Sequence, residues 1–104
     1  MGGFHPSGLP VCRTFDVSDE RGASDAAEEI VRMGFKGRRE AFKVLMPREA
    51  KLAKRIGYTL TTSINVGLRR TNQHRGVRYW TYHHDGEHYA IVLVNSDVAE
   101  ELGL

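Results

Sequence analysis

YTLTTSINVGL, residues 58–68, is the stretch on which the architecture of this chain turns. Tyr58, Leu60, Thr62, Ile64 and Val66 alternate along it, with the β-branched content of a strand. At helical spacing, Thr61 or Thr62 becomes an N-cap. Ile64, Gly67 and Leu68 then form one buried stripe, with Asn65, Arg69 and Arg70 outward. Its context favours the helix, because the segments on either side read most simply as a helix before it and a hairpin after it.

Upstream, Arg38 to Met46 has helical spacing that buries Ala41, Phe42 and Leu45 and leaves Arg38, Arg39 and Lys43 wet. Pro47 ends that helix and opens another through Ile56, with Leu52, Ala53 and Ile56 inward and Gly57 closing it. An earlier helix is expected over Asp25 to Met33, capped by Ser24 or Asp25 and closed by Gly34. Residues 1–14, with three glycines and two prolines, read as a flexible arm, and residues 15–104 as one domain. Phe15 and Val17 either form a short strand or pin the arm to the core.

Downstream, VRYWTYH and HYAIVLV flank His84-Asp85-Gly86-Glu87, the pattern of a hairpin with a tight Asp-Gly turn. With Asp85 and Gly86 as the two loop residues, His83 pairs with His88, Tyr82 with Tyr89, Trp80 with Ile91 and Val77 with Val94. Both faces then carry apolar side chains, so the hairpin is packed on both sides near its base. Asn95-Ser96-Asp97 caps a short helix through Leu102. The expected fold is a small single α+β domain: three or four helices plus a C-terminal antiparallel hairpin, winged helix-like. The alternative is a β-meander of residues 58–66, 77–83 and 88–94 with helices on one face.

At 104 residues, with 40% hydrophobic and 27% charged, the chain holds one domain with a modest core. Cys12 is the single cysteine and cannot form an internal disulfide, and no apolar run reaches the length of a membrane span. A reducing cytoplasm is the expected setting, with no membrane partner. The net charge of +2 hides a strong asymmetry. Residues 1–31 carry two basic and six acidic groups, a net −4; residues 32–78 carry thirteen basic and two acidic groups, a net +11; residues 79–104 carry five acids and no Lys or Arg, a net −5. A cationic block bracketed by acidic ends points to a polyanionic partner, nucleic acid above all.

Leu52-Ala53-Lys54-Arg55-Ile56-Gly57, followed by TTSINVGLRR, resembles a helix-turn-helix. Ala53 and Gly57 match the small residue and the turn glycine of that family. Ile64 lies one position later than the common spacing, so the turn is one residue longer. The basic tract RRTNQHRGVR leads into the hairpin as the recognition helix leads into the wing of winged helix-turn-helix proteins, and the resemblance covers about residues 38–94. It implies a recognition helix over about 61–70 laid in the major groove of duplex DNA and a hairpin wing over 77–94. Thr61, Thr62, Ser63 and Asn65 would then face base edges or flanking phosphates, and Arg69 and Arg70 the backbone. Lys51, Lys54 and Arg55 would hold phosphates from the preceding helix, and Arg75 and Arg78 from the base of the wing.

Two further groupings compete. His83, His84, Asp85, Glu87 and His88 crowd the hairpin tip, and a His83–His88 pair supplies two metal ligands. A structural zinc needs more, from Asp85 or His74, so a polar tip is the expectation and no metal or other cofactor is invoked. Tyr79, Trp80, Tyr82 and Tyr89 offer faces on which unpaired bases stack, or else belong to the core. No nucleophile, base and orienting group occur in a catalytic pattern, and Cys12 has no nearby base, so the expected class is not an enzyme. The expectation is a small transcriptional regulator that binds duplex DNA, working as a homodimer or through a partner at the acidic C-terminus. Its rival is a small binding or inhibitor protein of mobile-element type. Such a protein docks by charge on a nucleic-acid enzyme, or binds RNA through the basic block and aromatic strands.

Overall fold

Two strands buried on both faces organise the molecule: β2 (Ala41–Leu45) and β4 (Tyr89–Asn95), in which nearly every residue is buried. They run antiparallel, pairing Phe42 with Leu93 and Val44 with Ile91. Strand β1 (Val11–Asp16) lies parallel to β2 on one side, and β3 (Val77–His83) antiparallel to β4 on the other, for a sheet order β1-β2-β4-β3. Helix α1 (Glu20–Met33) forms the crossover between β1 and β2, α2 (Ala50–Arg70) links β2 to β3, and α3 (Ser96–Glu101) follows β4 directly. This computed structural model describes residues 7–73 and 76–104.

The sheet is covered on both faces. On one, α1 and α2 press Ala27, Ile30, Ile56, Leu60 and Ile64 against Phe15, Phe42, Val44, Ile91 and Leu93. On the other, Ala41, Val92, Val94 and Ala99 form a smaller cluster packed by Leu9, Trp80, Tyr82 and Leu104. The inner strands therefore lack polar alternation, whereas β3 alternates as an edge strand does. This double covering explains the correction at residues 38–46, which are not a helix but contain β2. A short apolar run bounded by proline has the same composition in a buried strand as in a short helix, and Lys43, 7% exposed, fits the strand only because its own sheet face is covered.

The α+β single domain stands, and residues 58–68 are helical, so the strand of the meander alternative does not form there. The break expected at Gly57 is absent: α2 runs unbroken for 21 residues, about 31 Å at about 1.5 Å per residue. It starts at Ala50 with Glu49 as N-cap, three residues after the Pro47 expected to open it. It ends in a Schellman turn, with Asn72 in the left-handed region at φ 58° and the Gln73 N–H donating to Leu68 O at 2.9 Å. Helix α1 starts five residues before the expected Asp25. Asp19 caps it, accepting from Gly22 N–H at 2.7 Å, and Gly34 closes it as expected. β1 begins at Val11, inside the stretch read as an arm. Asn95 caps α3, its Oδ1 accepting from Val98 N–H at 3.0 Å.

The hairpin forms with its register one residue away from the expected one. Val77 pairs with Asn95, Trp80 with Val92, and His83 with Tyr89 instead of His88. The cause lies in Asp85, whose Oδ1 accepts from both Glu87 N–H (3.0 Å) and His88 N–H (2.8 Å), while His84 N–H donates to His88 O. This side-chain turn draws a third residue into the loop, and one extra loop residue shifts every cross-strand pair.

Candidate nucleic-acid interface

With no acidic residue between Ala50 and Arg70, the outward face of α2 carries positive charge only. Ala50, Lys51, Lys54, Arg55, Tyr58, Thr62, Val66, Arg69 and Arg70 are its exposed residues, following a helical spacing of three and four along one side. From Lys51 to Arg69 the stripe is about 27 Å long, the length of about eight stacked nucleotides of one strand.

Ion pairs inside the molecule reduce the cationic block unevenly. Arg38 pairs with Glu40 at 3.2 Å, Arg39 with Glu101 at 3.1 Å, Arg48 with Glu87 at 3.3 Å and Arg32 with Glu28 at 3.5 Å. On α2, Arg55 reaches Glu20 of α1 at 3.8 Å. Among the described residues no carboxylate lies within ion-pair distance of Lys51, Lys54, Arg69 or Arg70. The acidic C-terminal helix, expected to face a partner, gives Glu101 to the chain's own Arg39.

The expected contact residues divide accordingly. Lys51, Lys54, Arg55, Thr62, Arg69 and Arg70 share the outward stripe. Thr61 does not: it is 8% exposed, and its hydroxyl donates to Gly57 O at 2.9 Å inside the helix. Ser63 and Asn65 are half-buried, Ser63 toward α1 and Asn65 toward Gly76. Arg78 lies on the opposite face of the sheet, where its guanidinium donates to the Leu104 carbonyl. Arg75 and His74 lie outside the described residues. Because α2 is continuous through Gly57, the two-helix turn that gave Thr61, Ser63 and Asn65 their implied base contacts is not formed.

Beside the stripe runs a groove that sequence reasoning placed only in part. β3 is an edge strand, and its helix-side face, with Tyr79, Thr81 and His83, lies beyond the cover of α1 and α2. Between it and α2 is a cavity of about 320 Å³, floored by Met46, Gly57 and Ile91 and walled by Lys54, Tyr58, Tyr79 and Tyr89. Tyr58 is 72% exposed and Tyr79 48%. Strand alternation splits the expected aromatic set, sending Trp80 and Tyr82 to the other face. The signal for Tyr58 was available: a tyrosine four residues from both Lys54 and Thr62 on the wet side of the helix.

A second cavity, about 430 Å³, lies between the hairpin tip and the ends of β1 and β2, lined by Asp16, Ser18, Met46, His84, Asp85 and His88 among others. The two backbone N–H groups on Asp85, joined by the His88 ring at 3.1 Å, hold its carboxyl far below the usual carboxylate range, so it belongs to the turn. Among the described residues no three His, Cys, Asp or Glu side chains are placed to hold a metal ion. Burial pushes the Cys12 thiol up, with Glu40 adding to the rise and Arg38 partly offsetting it, which disfavours a thiolate. No helix among the described residues is long and apolar enough to cross a membrane. Comparison with protein-family models, curated proteins and solved structures gives no match to this chain.

Proposed function

We propose that this protein binds nucleic acid through the outward face of α2. The observation that carries the reading is one exposed helix face that bears Lys51, Lys54 and Arg55 at its start, Thr62 between, and Arg69 and Arg70 at its end, on a helix with no acid of its own. Four of its five cations have no carboxylate partner among the described residues, so a polyanion meets charges that are not already neutralised. Such a stripe favours contacts with the phosphate backbone, which hold a partner without reading its sequence. A regulatory role on duplex DNA, working as a homodimer, is the extension that the expected recognition helix raised; it now rests on the stripe alone, since α2 lacks the turn.

Fluorescence anisotropy with labelled oligonucleotides, single-stranded and duplex, tests the reading across a salt series. Binding is expected to weaken linearly in log affinity against log salt. A Lys51→Ala/Arg69→Ala variant should lower the slope by about one for each phosphate that is no longer held. Identical affinity and slope in wild type and variant would overturn the reading, as would no binding of either oligonucleotide at about 50 mM salt.

A further inference from the structure

We infer that the groove between α2 and β3 seats one unpaired base of a single-stranded nucleic acid, with the adjoining phosphates on Lys54 and Lys51. The inference rests on the nucleic-acid reading above and narrows it to a substrate class.

Space comes first. A cavity of about 320 Å³ lies at the small end of ligand sites, where a single base fits and a duplex edge does not. Gly57 is part of the floor, where α2 closes on the sheet: a Cβ there would come within 3.1 Å of Ile91 Cδ1.

Chemistry comes second. Tyr58 from the helix and Tyr79 from the strand leave large ring surfaces in solvent on opposite walls, at 72% and 48% exposure. Tyr89 at the back is held edge-on by the His83 ring, centroids 4.4 Å apart at 85°. Aromatic rings beside an unpaired cation are the combination that binds single strands, by stacking a base and holding its phosphate. Thr61 also lines the groove, but its hydroxyl is taken up by Gly57 O. Thr81 on the strand wall is the remaining lining hydroxyl besides those of the tyrosines, so ring faces outweigh hydrogen-bonding groups, which predicts broad tolerance of base identity.

Charge decides the direction. Among the described residues no acid lines the groove, whereas on its other flank α2 meets Glu20 and Glu28 of α1. Both of those acids are already paired, Glu20 with Arg55 and Glu28 with Arg32, whereas Lys54 at the groove has no carboxylate within ion-pair distance among the described residues, so the groove side is where the stripe offers its uncompensated charge.

The test is anisotropy with an oligothymidylate of about 12 nucleotides and a duplex of equal length at about 150 mM salt, together with ring-proton NMR. The single strand is expected to bind more tightly. Tyr58→Ala and Tyr79→Ala should each weaken it about tenfold or more with the salt slope unchanged, while Tyr58→Phe stays near wild type. Tyr58 and Tyr79 ring signals should shift upfield on binding, with Trp80, on the other face, unmoved. Single-strand binding unaffected by both alanine variants, a preference for duplex, or shifts at Trp80 instead would overturn the groove and leave the stripe reading standing. Failure of the wild type to bind either oligonucleotide at low salt overturns both.

Discussion

Gly67, one turn before the C-terminal end of α2, lies directly against Val31 of α1: a Cβ at Gly67 would stand 2.8 Å from Val31 Cγ2 and 3.1 Å from Cγ1. A valine is stiff at χ1, so it cannot swing away, and the helices would have to separate. This close approach, and not a turn, is why the chain carries glycine inside a helix.

Gly67→Ala is therefore expected to destabilise by about 1–3 kcal/mol, even though alanine favours helix by about 1 kcal/mol. Urea unfolding measures it. Adding Val31→Ala should recover part of the loss, a coupling that two independent sites would not show. Gly57→Ala should cost less, because the atom it meets is the far end of the Ile91 side chain.

Gln73 joins three segments. Its Oε1 accepts from Phe35 N–H at 2.7 Å, and its Nε2 donates to Val31 O at 3.2 Å and to Thr71 Oγ1 at 2.8 Å. Removing it strands a backbone donor beside the buried Phe35. Gln73→Ala should cost about 1–3 kcal/mol in chemical denaturation, with faster amide exchange at Phe35. Unchanged exchange there would contradict this role.

Asp85 predicts a pH dependence with a definite sign. Its carboxyl titrates far below the usual range because the His88 and Glu87 amides and the His88 ring hold the charged form. A pKa depressed on folding stabilises the hairpin fully above the unfolded value of about 3.9, and that stability disappears as pH falls through the folded value. Carboxyl-carbon NMR should find Asp85 still ionised at about pH 3, where a free aspartate is mostly protonated. The melting temperatures of wild type and Asp85→Ala should differ at neutral pH and converge in acid.

Glu20 tests the electrostatics of the stripe from the α1 side. It holds Arg55 at 3.8 Å and accepts a hydrogen bond from Thr59 Oγ1 at 3.3 Å. Glu20→Gln frees Arg55 for phosphate, and oligonucleotide affinity at low salt should rise by about twofold to fivefold, the range of an exposed ion pair. A fall in affinity would place the binding path elsewhere.

Local signals in the chain were legible where one element could be judged by itself. Gly34 closes α1, Asn95 caps α3, and the aromatic and β-branched runs around Asp85-Gly86 make a hairpin. The outward set Lys51, Lys54, Arg55, Arg69 and Arg70 was legible too, because charge stays in water whatever the helix packs against. Thr61 was misassigned because helix periodicity does not say how wide the buried stripe is, and here α2 is buried broadly enough to include it.

The order of residues alone was enough for a small α+β domain with a cationic middle and a C-terminal hairpin, since composition, caps and period are local properties. Whether Ala41–Leu45 is strand or helix, whether Gly57 ends α2 or sits inside it, and which tyrosines share a groove depended on partners distant in the chain: β4 against β2, Ile91 beneath Gly57, Val31 against Gly67. A glycine is the same residue at a helix end and at a close helix crossing. Only packing distinguishes them, because the free energy that keeps it in place belongs to the neighbour it lets in.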